Sequence, residues 1–270
     1  MVSIVIPSRN EPYLAKTIHY LLLNSKRDIE INVTLDGYWP EANEIVEDSR
    51  VHYIHYSQSR GMRNAINAGV AISKGEYILK LDAHCMLAEG FDMALVGDCE
   101  DNWVVVPRRY RLNPETWKII EDGRPPIDYM YLSKDLHGEN WIEKNLDPEL
   151  GKIPIDNLMS SQGSCWFMKK SYFEELELMD EEHYGSFASE FQEIGLKAWL
   201  SGGQVKVNKK TWYAHWHKTE GRGYSLGRND FQKAVDYTEN WRIFGQAWRK
   251  QSFPLEWLID KFKPVPTWMI

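Results

Sequence analysis

The sequence predicts an α/β fold, a Rossmann-like, mostly parallel sheet flanked by helices and followed by a helical C-terminal tail. Three observations carry this. Short β-branched apolar runs, the mark of strands buried on both faces, alternate with segments of helical period through the N-terminal part of the chain. Polar residues gather just beyond those runs, at Arg9 to Glu11, Asp36 and Asp82 to His84, where open α/β sheets bind ligands. The last forty residues are rich in Trp and end on Pro264-Val265-Pro266, which reads as a helical tail packed on the domain.

The elements follow in order. Val2-Ser3-Ile4-Val5-Ile6-Pro7 is the first strand, closed by the polar loop Ser8-Arg9-Asn10-Glu11. Pro12 suits the first turn of a helix, and Leu14, Ile18, Leu21 and Leu22 recur at its period. Ile31 to Leu35 is the second strand and stops at the turn pair Asp36-Gly37; Val51 to His55 is the third. Gly61 to Ser73 is a helix carrying Ile66, Val70 and Ala71, closed by Gly75, and Tyr77 to Leu81 is the next strand. After Val104-Val105-Val106-Pro107 the pattern predicts long irregular connections, a hairpin around Glu121-Asp122-Gly123, and an aperiodic stretch from Lys134 to Ser161 suited to a second substrate rather than to the core. Regularity returns with a strand at Ser164 to Met168, a helix from Ser171, and another from Ser189 to Leu200 ending at Gly202-Gly203. Gln204 to Val207 and Trp212 to His215 read as two late strands. The division is a domain over 1–228 and a tail over 229–270.

Composition narrows the function. Lys and Arg total 32 against 39 Asp and Glu, a net charge of -7, which disfavours a general phosphate-binding surface. No apolar run approaches the roughly 20 residues that span a bilayer. Neither a signal peptide nor a membrane anchor is expected, and Cys85, Cys99 and Cys165 lack the spacing of a disulfide framework or zinc ribbon, so the cytoplasm is the expected compartment.

Asp82-Ala83-His84 carries the clearest chemistry. Residues two apart in an extended segment project to one face, so a hard oxygen and a borderline nitrogen converge, suiting a divalent ion such as Mn²⁺ (or Mg²⁺) whose shell a ligand's phosphates complete. Arg60 and Arg63 stand at a helix start, where free N–H groups and positive side chains meet phosphate or ribose oxygens.

Together, Val5-Ile6-Pro7-Ser8-Arg9-Asn10-Glu11, Asp36, Arg60-Gly61-Met62-Arg63-Asn64-Ala65 and Asp82-Ala83-His84 resemble the GT-A glycosyltransferases of the family 2 type. The D-x-H form, in place of D-x-D, is similar to that of the polypeptide N-acetylgalactosaminyltransferases. Gly163 to Phe173 matches the same family's later strand and helix, and Phe187-Ala188-Ser189-Glu190-Phe191-Gln192-Glu193 stands where those enzymes carry W-G-G-E-N-x-E, with Ala188 and Ser189 at the two glycines. The resemblance covers roughly residues 1 to 220. It implies a GT-A fold with a nucleotide-sugar-binding half over 1–100 and an acceptor and metal-completing half over 101–228. Pro7, Arg9, Glu11 and Asp36 would hold the uracil and ribose of a UDP-sugar. Asp82 and His84 would ligate the metal bridging its diphosphate, His215 would be the third ligand, and Lys218 would touch the diphosphate. His217 has no counterpart. Glu190 would be the general base of inverting relatives, or would orient donor or acceptor in retaining ones. Ser189 reads as the helix cap. From Lys206 to Arg228 the basic residues Lys206, Lys209, Lys210, Lys218, Arg222 and Arg228 outnumber Glu220, and Gly221 and Gly223 allow movement, which reads as a loop covering the donor.

The expected function is therefore metal-dependent transfer of a sugar from a UDP-sugar to a hydroxyl acceptor, first a saccharide or cell-envelope precursor. A second expectation is a hydroxymethylated base in DNA, supported by Pro107-Arg108-Arg109-Tyr110-Arg111. A third is a non-catalytic nucleotide-sugar or carbohydrate-binding module.

Overall fold

The computed structural model describes residues 1–218 and 228–268. In chain order the elements are β1 (Val2–Ser8), α1 (Leu14–Asn24), β2 (Ile29–Asp36), β3 (Val51–Tyr56), α2 (Met62–Ile72), β4 (Tyr77–Leu81), β5 (Cys85–Leu87), α3 (Phe91–Gly97), β6 (Trp103–Asn113) and β7 (Lys118–Ile119). Then follow β8 (Met130–Leu132), β9 (Gly138–Asn140), α4 (Ile142–Leu146), α5 (Pro148–Lys152), β10 (Ile155–Asn157), β11 (Cys165–Lys169), α6 (Lys170–Glu175), α7 (Glu181–Tyr184), α8 (Glu190–Leu200), β12 (Gln204–His215), α9 (Arg228–Thr238) and α10 (Leu255–Phe262).

One sheet runs in the order β10-β12-β6-β11-β4-β1-β2-β3. Its N-terminal half is parallel, since β1 pairs in parallel with both β2 and β4, and β2 with β3. The other half is mixed: β11 lies antiparallel between β4 and β6, while β12 runs parallel to β6 and antiparallel to β10 and β5. The first half is legible because Ile4, Ile6, Ile31, Val33, Ile78 and Leu79 are buried under helices whose apolar stripes meet them.

Several expectations are corrected. Pro12 precedes α1, which opens at Leu14. Pro107 does not end β6; the strand continues to Asn113, with Pro107 registered against Asn208. The hairpin turns at Asn113 to Trp117, not at Glu121 to Gly123, because the Asn113 side chain accepts the backbone N–H groups of Glu115 and Thr116, each at 3.0 Å. The two late strands are one, β12, and what reads as a gap between them is a register shift between Asn208 and Trp212. The stretch from 134 to 161 builds core after all, since Leu136, Trp141, Leu158 and Met159 are buried in the main cluster.

The tail packs through its aromatic residues. Trp241 and Trp248 are buried, Trp241 Nε1 donates to Tyr184 Oη at 2.8 Å, and Phe262 of α10 meets Trp199 of α8 edge to face. Among the described residues, six of the twelve Trp side chains are buried. No helix among the described residues is long and apolar enough to cross a membrane.

Candidate metal and donor site

Asp82 follows directly on β4, and His84 lies two residues further on. The Thr17 hydroxyl fixes this turn, donating to Ala83 O at 3.0 Å and accepting Cys85 N–H at 3.2 Å. Antiparallel pairing of β12 with β5 sets His215 opposite Cys85, and so beside His84. One ligand atom from each of Asp82, His84 and His215 falls within 4.8 Å of the others. His84 Nε2 and His215 Nε2 are 3.1 Å apart, and His215 Nε2 is 3.4 Å from Asp82 Oδ2.

These residues fit a divalent ion by a test independent of the motif. His84 Nδ1 lies 2.9 Å from Glu11 Oε2, a contact that places the ring proton on Nδ1 and leaves the Nε2 lone pair facing the other two residues. Burial pushes the His215 imidazole down to about 3, an effect only partly opposed by Asp82, so it is neutral at pH 7, as a ligand must be. His215 Nδ1 is itself buried without a partner among the described residues. His217, whose ring meets His215 edge to face, is likewise lowered by burial, to about 4, and stands outside the triad.

Beneath the triad is a group that motif reading overlooks. Lys80 of β4 is 1% exposed, and its Nζ donates to Asp82 Oδ1 at 2.6 Å and to Gly163 O at 2.6 Å. The same Nζ lies 3.2 Å from Glu190 Oε1 and 3.3 Å from Oε2. Burial alone would lower the Lys80 pKa, but Asp82 and Glu190 outweigh it and raise it, so the ammonium stays charged. Glu190, the first residue of α8, also accepts Trp166 Nε1–H at 2.7 Å. Burial raises its pKa, with Lys80 opposing. A Cβ at position 163 would collide with the Glu190 carboxylate and push it off Trp166 and Lys80. A lysine inside the apolar run Tyr77 to Leu81, two residues before Asp82 and on its face, is the sequence signal for this group.

Ser189 does occupy the cap position of α8 but makes no side-chain cap bond. Ala188 and Ser189 have φ of 72° and 50°, a left-handed backbone that glycine adopts without a Cβ penalty and that here carries side chains.

The other expected donor residues cluster at the ends of β1, β2 and β3, with altered roles for some. Pro7 is near the end of β1 and Arg9 Nη1 donates to Ser59 Oγ at 2.9 Å. Ser59 Oγ donates in turn to Asp36 Oδ2 at 2.6 Å, and Asp36 also accepts the N–H groups of Arg60 (2.6 Å) and Gly61 (3.1 Å). Asp36 thus ties the loop ahead of α2 to the end of β2. Arg60 is exposed, its guanidinium 4.5 Å from the centre of the Tyr56 ring. Glu11 does not face outward toward a nucleobase: it is the carboxylate behind His84 and the ion-pair partner of Lys218.

Arg63 is turned inward. It is 0% exposed, pairs with Glu193 of α8, donates to Ala188 O at 2.9 Å and lies over the Tyr184 ring. Its charge is neutralised inside the fold and unavailable to phosphate. Arg63→Met should cost about 3 kcal/mol of stability, because Glu193 is left buried with only part of its compensation. UDP affinity should hold. Thermal melts and UDP titration check this, and a variant with normal melting but lost UDP affinity would return Arg63 to the donor site.

Lys206, Lys209 and Lys210 are also removed from any covering loop. They lie on β12, bonded to Asn157, to Tyr129 and Leu150, and to Asp98 respectively. Gly221, Arg222 and Gly223 lie outside the described residues, as does the side chain of Arg228. The basic stretch at 107–111 is not an open phosphate track: Arg108 pairs with Asp128, Arg111 with Asp122 and two carbonyls, and Arg109 is 4% exposed.

The model of glycosyl transferase family 2 matches residues 3–177. Glycosyltransferase GlyG of Streptococcus pneumoniae is 25% identical over 181 residues, 64% of this chain and 54% of that protein. Human polypeptide N-acetylgalactosaminyltransferase 18 is 23% identical over 214 residues, 77% of this chain and 33% of that protein. The chain therefore spans about half or less of the length of these curated relatives. Among solved structures, GalNAc-T7 with UDP, GalNAc and Mn²⁺ superposes with a TM-score of 0.76 at 20% identity, over 97% of this chain and 56% of that one. Staphylococcus aureus TarS (residues 1–349) superposes with a TM-score of 0.52 at 12% identity, over 80% of this chain and 60% of that one. A sheet that is parallel on one side of β4 and mixed on the other, flanked by helices, is the GT-A fold, and the chain belongs to glycosyl transferase family 2.

Proposed function

We propose that this protein transfers a sugar from a UDP-sugar to an acceptor hydroxyl, and that transfer depends on a divalent cation, Mn²⁺ or Mg²⁺. The observation that carries the reading is the convergence of Asp82, His84 and His215 at the end of β4, backed by the Glu11 carboxylate on His84. A bound cation there supplies positive charge to the departing diphosphate, the largest electrostatic demand of the reaction. The chain's own residues do the rest. Glu11 fixes the His84 tautomer and holds Lys218, whose ammonium stands beside the triad as a cation for a phosphate. Asp36, by gripping residues 59–61, shapes the loop beside β1 where Pro7 and Arg9 meet the nucleoside. Glu190, held by Trp166 and Lys80, is the acid placed to act on the acceptor hydroxyl.

A saccharide or envelope precursor is the favoured acceptor over DNA, because the cations of 107–111 are paired or buried. A silent binding module is disfavoured by retention of the whole metal-ligating set. The three thiols, all unpaired, suit the reducing cytoplasm.

Incubation with a panel of nucleotide sugars and Mn²⁺, scored by released nucleotide, tests the reading. UDP release with one UDP-sugar is expected to fall at least about a hundredfold in excess EDTA and to return with Mn²⁺. Undiminished turnover in EDTA would sink the metal-dependent mechanism.

A further inference from the structure

Lys80 places a full positive charge in the floor of the site just described. Asp82 is the one carboxylate among the three candidate ligands, and its Oδ1 is already committed to Lys80 Nζ at 2.6 Å, leaving Oδ2 to face His215. The other two ligands are imidazoles, which bind metals in their neutral form. The second acid at the site, Glu11, is balanced by Lys218, and the third, Glu190, shares the same Lys80. A dication entering here therefore meets less than one uncompensated negative charge from its ligands. It also meets an ammonium that is 1% exposed, and so little screened by solvent.

We infer that Lys80 is a positioning residue that keeps metal affinity low in the free protein and makes firm metal binding conditional on a ligand that brings its own negative charge, the diphosphate of the donor. This rests on reading Asp82, His84 and His215 as a metal site. By linkage the coupling is reciprocal: the nucleotide is held weakly without the metal and firmly with it.

The test is Mn²⁺ titration of the full chain, followed by the spin-resonance signal of free Mn²⁺, with and without saturating UDP and corrected for the Mn²⁺–UDP complex measured without protein. In the wild type, UDP should tighten Mn²⁺ binding by about 5- to 150-fold, the usual range of coupling between sites. Lys80→Gln keeps a hydrogen-bond donor for Asp82 but removes the charge. It should bind Mn²⁺ alone at least about tenfold more tightly than the wild type, with the UDP effect reduced accordingly. Equal or weaker binding of Mn²⁺ alone by a folded Lys80→Gln overturns the inference. So does a wild type whose Mn²⁺ affinity ignores UDP, a result that stands even if the variant does not fold. If the wild type binds no Mn²⁺ in either condition, the metal reading itself falls and this inference with it. If Mn²⁺ binds and Asp82→Asn weakens it while Lys80→Gln leaves it unchanged, the metal reading survives and only the role given to Lys80 is lost.

Discussion

Replacing His84 with alanine is expected to lower Mn²⁺-supported transfer by roughly three orders of magnitude, since losing a ligand forfeits several kcal/mol of leaving-group stabilisation and each 1.36 kcal/mol is about tenfold. The melting temperature should stay within a few degrees of wild type. His84 lies in the turn beyond β4, and its contacts are polar or edge-on: Glu11, His215 and the rim of Trp216. Glu11 keeps Lys218 as a partner when the imidazole is gone, so no buried charge is orphaned. Asp82→Asn is a less clean probe, because it also strips Lys80 of its closest counter-charge and should cost stability as well as turnover. Initial rates at saturating Mn²⁺, with a melt on the same sample, decide the matter. Turnover within tenfold of wild type removes His84 from the ligand set, and a collapse in melting temperature makes it structural.

The parallel half of the sheet was readable because its strands are buried on both faces. Val2 to Pro7, Ile31 to Leu35 and Tyr77 to Leu81 are runs that no other environment favours, and the structure extends them by at most a few residues. The mixed half resisted reading where a side chain decided the outcome. Asn113 moved the hairpin by capping its own turn, and the irregularity between Asn208 and Trp212 disguised one strand as two. Pro107 reads as a strand end, whereas β6 runs on through it to Asn113.

The site divides in the same way. Asp82 and His84 are legible from spacing alone, but His215 is distant in sequence, and only family resemblance, or the pairing of β12 with β5, brings it near. Lys80 reads as an interruption of an apolar strand until the turn before β11 and the start of α8 bring the Gly163 carbonyl and Glu190 to its tip. Arg63 reads from its helix-start position as a phosphate ligand, yet the sequence also carries a signal of its burial. It lies three residues before Ile66 and seven before Val70, on the apolar stripe of α2, and a charge on that stripe calls for a buried partner, here Glu193.

Glu190→Gln should reduce turnover by roughly two to four orders of magnitude if this carboxylate takes the acceptor proton, with UDP affinity changed less than about threefold. The two oxygens are not equivalent. Oε1 is spent on the Trp166 N–H at 2.7 Å, whereas Oε2 has only a 3.3 Å contact with Lys80 and lies against Gly163, where no Cβ obstructs it. If Glu190 is the base, Oε2 is the oxygen that would receive the hydroxyl proton. Burial makes it more basic than an exposed glutamate, although Lys80 returns part of that gain. Glutamine preserves size and the acceptor for Trp166 but not the basic oxygen. Lys80 keeps Asp82 and the Gly163 carbonyl, so the variant should remain folded. Turnover, UDP dissociation constant and product anomer on variant and wild type separate the roles. Lost turnover with inverted product assigns Glu190 as the base. A raised KM with little change in kcat makes it a sugar-binding group, and near-normal kinetics with only a lower melting temperature confine it to holding the start of α8.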